Sequence, residues 1–381
     1  MKVLFYVQHL LGIGHLKRAA TLARACAAAG LDVTIVSGGE PVAVLDRTGF
    51  DLVQLPSLRA ADRTFQGLVD DRGRPADAVY LDRRRALLLE AFDRVNPAIL
   101  LVEMFPFGRR ALRGELMPLI ERAKARGARV VCSVRDILVE KNRPERETEM
   151  VETARTFFDA ILVHGDPAFI PFDATFARAR ELADLIHYTG YVVEETEPLG
   201  PQGTGEVIVS AGSSATGEAL LRTALAARAE TSLAGATWRL LAGQGLPEAV
   251  FDDLGAQAKV KAGSGVIVER ARADFTTLLG NCALSISQGG YNTVMEVLGA
   301  RARTVLVPYA GGHETEQTLR VKLLAEAGLV RQIPESELSV PTLVAAIEKA
   351  STDSPSGTLR IDRYGARKSA EILASRLASA G

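Results

Sequence analysis

The chain has 381 residues, 47% hydrophobic and 24% charged, enough for two ordinary domains and too apolar for a disordered or low-complexity polymer. Its 45 Lys and Arg against 46 Asp and Glu leave no general positive field for a phosphate backbone, which argues against nucleic acid as a partner and for a small-molecule ligand. No apolar run approaches the ~18 residues of a membrane span, and three scattered cysteines, Cys26, Cys132 and Cys282, read as reduced core thiols, so a cytoplasmic protein without a disulfide or zinc framework is expected.

Short apolar β-prone runs alternate with longer segments of helical period, the pattern of an α/β protein with doubly wound parallel sheets. Strands are predicted at Lys2–Val7, Asp32–Ser37, Asp51–Leu55, Ala98–Val102, Ala128–Val134 and Ala160–Val163. A Gly- and Pro-rich stretch at Gly200–Gly205 follows, and the pattern restarts at Glu206–Ser210, Thr237–Ala242, Gly265–Glu269, Cys282–Ser287 and Thr304–Pro308. Both halves open with strand, small-residue turn and helix. Three parts are therefore expected: a Rossmann-like domain over 1–195, a second Rossmann-like domain over 196–360, and a terminal helix over 361–381 that returns to the first domain. Two such sheets facing each other leave a cleft, and ligands bind at the carboxyl ends of parallel strands.

The first turn, Gly12-Ile13-Gly14-His15-Leu16-Lys17-Arg18, lacks the third glycine of a dinucleotide fingerprint, because Lys17 stands in its place. It does bring an imidazole and a cation to a helix start, with the helix expected from about Leu16, so His15 is the candidate base and Arg18 its neighbour. Alternatively, His15 caps the turn and Arg18 lies on a solvated face. Glu103, closing the apolar run Ile99–Val102, could act as base, orient His15, or pair with Arg109 or Arg110. The run Asp82-Arg83-Arg84-Arg85 and the segment Arg135–Glu149 read as solvated surfaces or, with Phe105 and Phe107, as a contact with phospholipid.

In the second half, Ser210 to Gly217 contains Gly212, Ser213 and Ser214 ahead of a helix, where free N–H groups could take a phosphate oxygen or a hydroxyl could cap the helix. The segment Ser285 to Glu296 ends a strand at Gln288-Gly289-Gly290 and opens a helix with Asn292 and Thr293 in its early turns. There Glu296 could accept hydrogen bonds from both hydroxyls of a ribose, or Thr293-x-x-Glu296 could form a capping box. The loop Pro308 to Gln317 supplies Glu316 and Gln317, polar groups suited to sugar hydroxyls. No Asp-x-Asp pair or paired histidines stand at metal-ligand spacing, so neither metal nor cofactor is expected.

The ordered set GIGHxxR, SQGGYNTVME and Glu316-Gln317-Thr318-Leu319-Arg320 resembles GT-B glycosyltransferases, most closely glycosyltransferase family 28 and the MurG-like enzymes that transfer N-acetylglucosamine from UDP to a lipid-linked acceptor. The resemblance implies a GT-B fold and an inverting, metal-independent hexosyltransferase with a UDP-sugar donor and a sugar or lipid-linked acceptor. Cell-envelope, exopolysaccharide or glycolipid synthesis and peripheral membrane contact are implied with it. Carried over by motif, Glu296 binds the donor ribose, and Gln288-Gly289-Gly290 with Gly212-Ser213-Ser214 holds the diphosphate. Asn292 and Thr293 belong to the same donor segment, and Glu316 and Gln317 take the sugar. Backbone near Arg270 holds the base, and Gly14 with Arg18 or Arg270 assists the phosphates. The first loop departs from the glycine-richer form of the peptidoglycan enzyme, and Gln288 stands where many relatives carry His, so acceptor identity does not carry over. GIGHxxR also resembles UDP-sugar hydrolases in which His activates water, and a non-catalytic nucleotide-sugar-binding subunit is the further alternative.

Overall fold

The computed structural model describes the chain except for residues 11–12, 43–44, 62–66, 139–143, 194–199, 213–216, 263–264, 312–314, 353–360 and 377–381. The chain divides into two compact units, Met1–Val193 with Ile361–Gly381, and Glu194–Arg360.

In the first unit β1 (Lys2–Val7) leads into α1 (Gly14–Ala28), followed by β2 (Asp32–Ser37) and β3 (Asp51–Gln54). A small antiparallel pair, β4 (Arg59–Ala60) and β5 (Leu68–Val69), precedes α2 (Ala78–Val95). Then come β6 (Ile99–Glu103), α3 (Arg113–Ala125), β7 (Arg129–Arg135), α4 (Pro144–Phe157), β8 (Ala160–His164) and β9 (Ile186–Tyr188). Seven strands form one parallel sheet in the order β3-β2-β1-β6-β7-β8-β9. The order reverses at β1, so the connections after β1 and β6 diverge and leave the carboxyl ends of those two strands open to a ligand.

Alternation along the strands builds two cores. Leu4, Tyr6, Leu100 and Val102 face one side with Leu88 and Phe92 of α2 and Leu116 of α3, while Val3, Phe5, Ile99 and Leu101 face the other with Leu16, Ala19 and Ala23 of α1. Strands covered on both sides explain why β6 is apolar throughout until Glu103. Cys26 and Cys132 lie one in each core, and burial pushes the Cys26 thiol up to about 12.

The second unit repeats the plan with β10 (Val207–Ser210), α5 (Glu218–Ala227), β11 (Trp238–Ala242), α6 (Glu248–Ala262), β12 (Val266–Arg270), α7 (Phe275–Asn281) and β13 (Leu284–Gln288). It continues with α8 (Tyr291–Ala300), β14 (Thr304–Val307), α9 (Glu316–Glu326), β15 (Arg331–Gln332) and α10 (Val340–Thr352). The six parallel strands run β12-β11-β10-β13-β14-β15, reversing at β10, so here the ends of β10 and β13 are adjacent.

The chain then rejoins the first unit. The Tyr191 N–H donates to the Asp362 carbonyl at 2.7 Å, the Asp362 N–H donates to Asp166 Oδ2 at 2.9 Å, and Val192 bridges Tyr364. From there α11 (Gly365–Glu371) places Ala370 and, just beyond it, Leu373 in the core that α1 covers.

Two expectations change. Arg84 is fully buried, not solvated, because it lies on the inward stripe of α2 with Leu88, Ala91 and Phe92. Phe105 and Phe107 are buried as well, Phe107 meeting Phe172 and Phe176 edge-on at 5.5 and 5.3 Å, so they are core residues and present no surface to a lipid.

Candidate functional site

In the first unit, α1 begins at Gly14, two residues before the expected Leu16, which puts His15 in the first turn of the helix. Ile13 is the N-cap and no side chain caps the helix, so His15 does not serve as a cap. Its Nδ1 instead meets Oε1 of Glu103 at the end of β6, 88 residues away in sequence and brought close because β1 and β6 are neighbours. Arg18, one turn further along α1, is buried and donates from Nη2 to the same oxygen at 2.5 Å. Arg109 approaches Oε2 at 3.5 Å, whereas Arg110 turns outward to Glu149 at 3.4 Å.

Backbone geometry aims these groups. After β6 the chain turns through Met104 at φ 68° and Arg109 at φ 61°, left-handed conformations that non-glycine residues seldom adopt and that cluster at functional sites. Glu103 is 1% exposed. Burial alone would push its carboxyl up, but His15, Arg109 and Arg18 oppose it and hold it well below the usual carboxylate range, so it is ionised. Burial lowers the proton affinity of His15 to about 3; Glu103 pulls the other way, and Arg109 and Arg135 push it down further. His15 is therefore neutral at physiological pH, with Nδ1–H donating to Glu103 and the lone pair on Nε2 available to a substrate. Its side chain is 20% exposed, which gives that substrate access.

A buried polar network that the sequence reading missed supports this end of the sheet. Arg84 donates to Glu115 at 2.8 and 3.1 Å, to Gln8 Oε1 at 2.5 Å and to the carbonyls of Gly38 and Pro56 at 2.7 and 2.5 Å. Tyr6 donates to Glu115, and Gln8 donates to the carbonyls of His9 and Leu58 at 2.8 and 2.9 Å. The carboxyl end of β1 is thereby tied to α2 and α3. The signal in sequence was the spacing of Arg84 and Leu88, four apart on one helix face. Deeper still, His164 is fully buried between Ser133 Oγ at 2.8 Å and Thr189 Oγ1 at 2.9 Å, and burial with Arg18 lowers its proton affinity to about 3.

In the second unit, Gly212 follows β10 at φ 68°, while Ser213 and Ser214 lie outside the described residues. Gln288, at the end of the neighbouring β13, is buried beneath that turn; a Cβ on Gly212 would sit 3.6 Å from its Oε1. The two following glycines differ. Gly289 packs against Pro308 and Val321, so its missing side chain serves packing, whereas a Cβ on Gly290 would point into open space. Gly290 is the N-cap of α8 and, having no side chain, makes no cap hydrogen bond of its own, so the positive end of the helix dipole lies beside the end of β13. Thr293 stands inside the first turn and Glu296 a further turn on, which excludes the capping box between them. Glu296 is half-buried, as are Asn292 and Thr293.

Glu316 opens α9, is buried, and accepts from Arg320 at 2.9 Å; Arg320 also lies over the Tyr291 ring at 5.0 Å, tying α9 to α8. Gln317 Oε1 accepts the Tyr309 N–H at 3.1 Å and so closes the loop between β14 and α9. Arg270 is engaged within its own unit. Its guanidinium donates to the carbonyls of Gly243 and Leu246 at 3.0 and 2.9 Å, pairs with Glu248 and stacks over Phe251 at 4.2 Å, holding the loop after β11 in place. Among the described residues no group of three or more His, Cys, Asp or Glu side chains is arranged to hold a metal ion, and no helix is long and apolar enough to cross a membrane.

Residues 211–373 match the family model of the glycosyltransferase family 28 C-terminal domain. Among solved structures, the chain is similar to the glycosyltransferase of kitacinnamycin (16% identity, TM-score 0.64, covering 99% of this chain and 95% of that one). It is also similar to MurG of Acinetobacter baumannii (15%, 0.60, 98% and 99%) and to the spinosyn rhamnosyltransferase SpnG complexed with thymidine diphosphate (18%, 0.60, 100% and 96%). The fold is GT-B, and the family match supports a glycosyltransferase.

Proposed function

We propose that this chain moves a monosaccharide from a nucleotide sugar, UDP-linked by preference, to an acceptor hydroxyl, in one displacement that inverts the anomeric carbon and uses no metal ion. The observation that carries the reading is the His15–Glu103 pair: a neutral imidazole backed by an ionised carboxylate, in a chain whose other unit matches a sugar-transfer domain.

In this mechanism Nε2 of His15 accepts the proton of the acceptor hydroxyl as its oxygen bonds to the anomeric carbon. The bond from that carbon to the diphosphate oxygen breaks, and the nucleoside diphosphate leaves with the electron pair. Glu103 stabilises the imidazolium that forms. The Gly212 turn and the start of α8 at Gly290 supply N–H groups for the leaving diphosphate, and Glu296 binds the ribose hydroxyls. Glu316 and Gln317 shape the sugar pocket through Arg320 and Tyr309, and backbone near Arg270 receives the base.

The test is donor consumption by the purified protein with UDP-, dTDP- and GDP-sugars, with and without a lysate-derived acceptor. Acceptor-dependent formation of a product of inverted anomeric configuration supports the proposal. Rapid release of free sugar without an acceptor makes the protein a hydrolase, and nucleotide binding without turnover makes it a binding subunit.

A further inference from the structure

Glu103 faces more positive charge than it can neutralise. His15 is uncharged, yet Arg18 and Arg109 both point at this one carboxylate, and Arg135, at the end of β7, depresses the proton affinity of His15 and of Arg109. Arg18 is held on Glu103 by a 2.5 Å hydrogen bond. Arg109 is not. Its side chain is 12% exposed, its Glu103 contact is 3.5 Å long, and its Nε and Nη2 are buried without a hydrogen-bond acceptor among the described residues. Buried guanidinium nitrogens are nearly always paired, and arginine's planar fork matches the oxygens of carboxylates and phosphates.

We propose that Arg109, assisted by Arg135, recognises an anionic group, a phosphate ester or a carboxylate, carried by the acceptor whose hydroxyl His15 deprotonates. This rests on the reading of the first unit as the acceptor side. The anion supplies the acceptor that Arg109 lacks. It also offsets charges that hold the proton affinity of His15 down, so binding the correct acceptor strengthens the base that will act on it.

The experiment is imidazole ¹⁵N NMR of the full-length protein labelled at its five histidines, titrated separately with methyl phosphate and with acetate. The His15 signals are expected to shift saturably with at least one anion, and the protonation midpoint of His15 to rise, while His164 stays unchanged. Arg109→Gln should weaken the response at least tenfold. A response to methyl phosphate alone assigns a phosphate ester; a response to acetate alone assigns a carboxylate. No saturable His15 response to either anion, or equal affinity in Arg109→Gln, overturns the proposal. Should Arg109→Gln lose the His164 signal and so fail to fold, Arg109→Lys decides, because wild-type affinity without the two-pronged contact is incompatible with it. Sugar transfer is assayed on the same preparation. Absent transfer with an intact anion response removes only the proposed reaction, and transfer without an anion response removes only this inference.

Discussion

A single oxygen of Glu103, Oε1, meets both Nδ1 of His15 and Nη2 of Arg18, so one carboxylate orients the imidazole and neutralises the arginine behind it. Glu103→Gln keeps the shape and removes the charge that stabilises a protonated His15. The expected result is a fall in kcat of roughly 10²- to 10⁴-fold, the usual range of general base catalysis, with UDP affinity by calorimetry unchanged. His15→Ala should give a loss of the same order; a nucleotide affinity that falls with kcat in both variants contradicts the base role.

The pH profile follows from the depressed proton affinity of His15. In the proposed mechanism neutral imidazole is the active form, and with its proton affinity lowered to about 3, kcat/KM should stay flat as pH falls through 6.5 and decline only in more acidic buffer. An acid limb centred near 6.5 in steady-state kinetics would mean that Glu103 outweighs burial and the arginines.

Arg84 tests the buried network beneath the site. Arg84→Met takes the counter-charge from Glu115 in the interior and leaves it only the Tyr6 hydroxyl, a change that typically costs about 3–5 kcal/mol, measurable by urea denaturation. Adding Glu115→Gln should restore part of that loss, since the uncompensated charge is then gone.

Glu296 separates a ligand role from a local one. Its place beyond the first turn of α8 rules out a capping role there, and Glu296→Gln, which keeps the side chain's shape, should lower the melting temperature far less than it weakens nucleotide binding. Loss of charged hydrogen bonds to ribose, worth about 1.5–3 kcal/mol, should raise the Kd for UDP roughly 10- to 100-fold in calorimetry.

Most strands were legible because most are runs of apolar residues covered on both faces, whereas the reversal of strand order at β1 and β10 depends on pairing between distant segments. The edge strands β9 and β15 were not. Ile186–Tyr188 is only half-buried and Arg331–Gln332 is polar, so neither carries the hydrophobic signature. The ends of β6 and β13 announced Glu103 and Gln288 by interrupting such runs. Arg109 was named as a partner of Glu103, but the contacts of Arg84 and Arg270 were hidden because an arginine in sequence looks solvated whether or not it is; what separates the cases is which carbonyls and carboxylates the fold brings within reach, a property of distant segments.

The return of the chain from the second unit to the first has a practical consequence. The stretch around α11 covers α1 with Ala370 and Leu373 and is pinned through Asp362 to Asp166 and Tyr191. A recombinant fragment ending at Val193 would thus bare an oily stripe on the helix that bears His15, and should be prone to self-association. Splicing residues 361–376 back onto it through a short flexible tether is the rational way to obtain that half as a well-behaved sample.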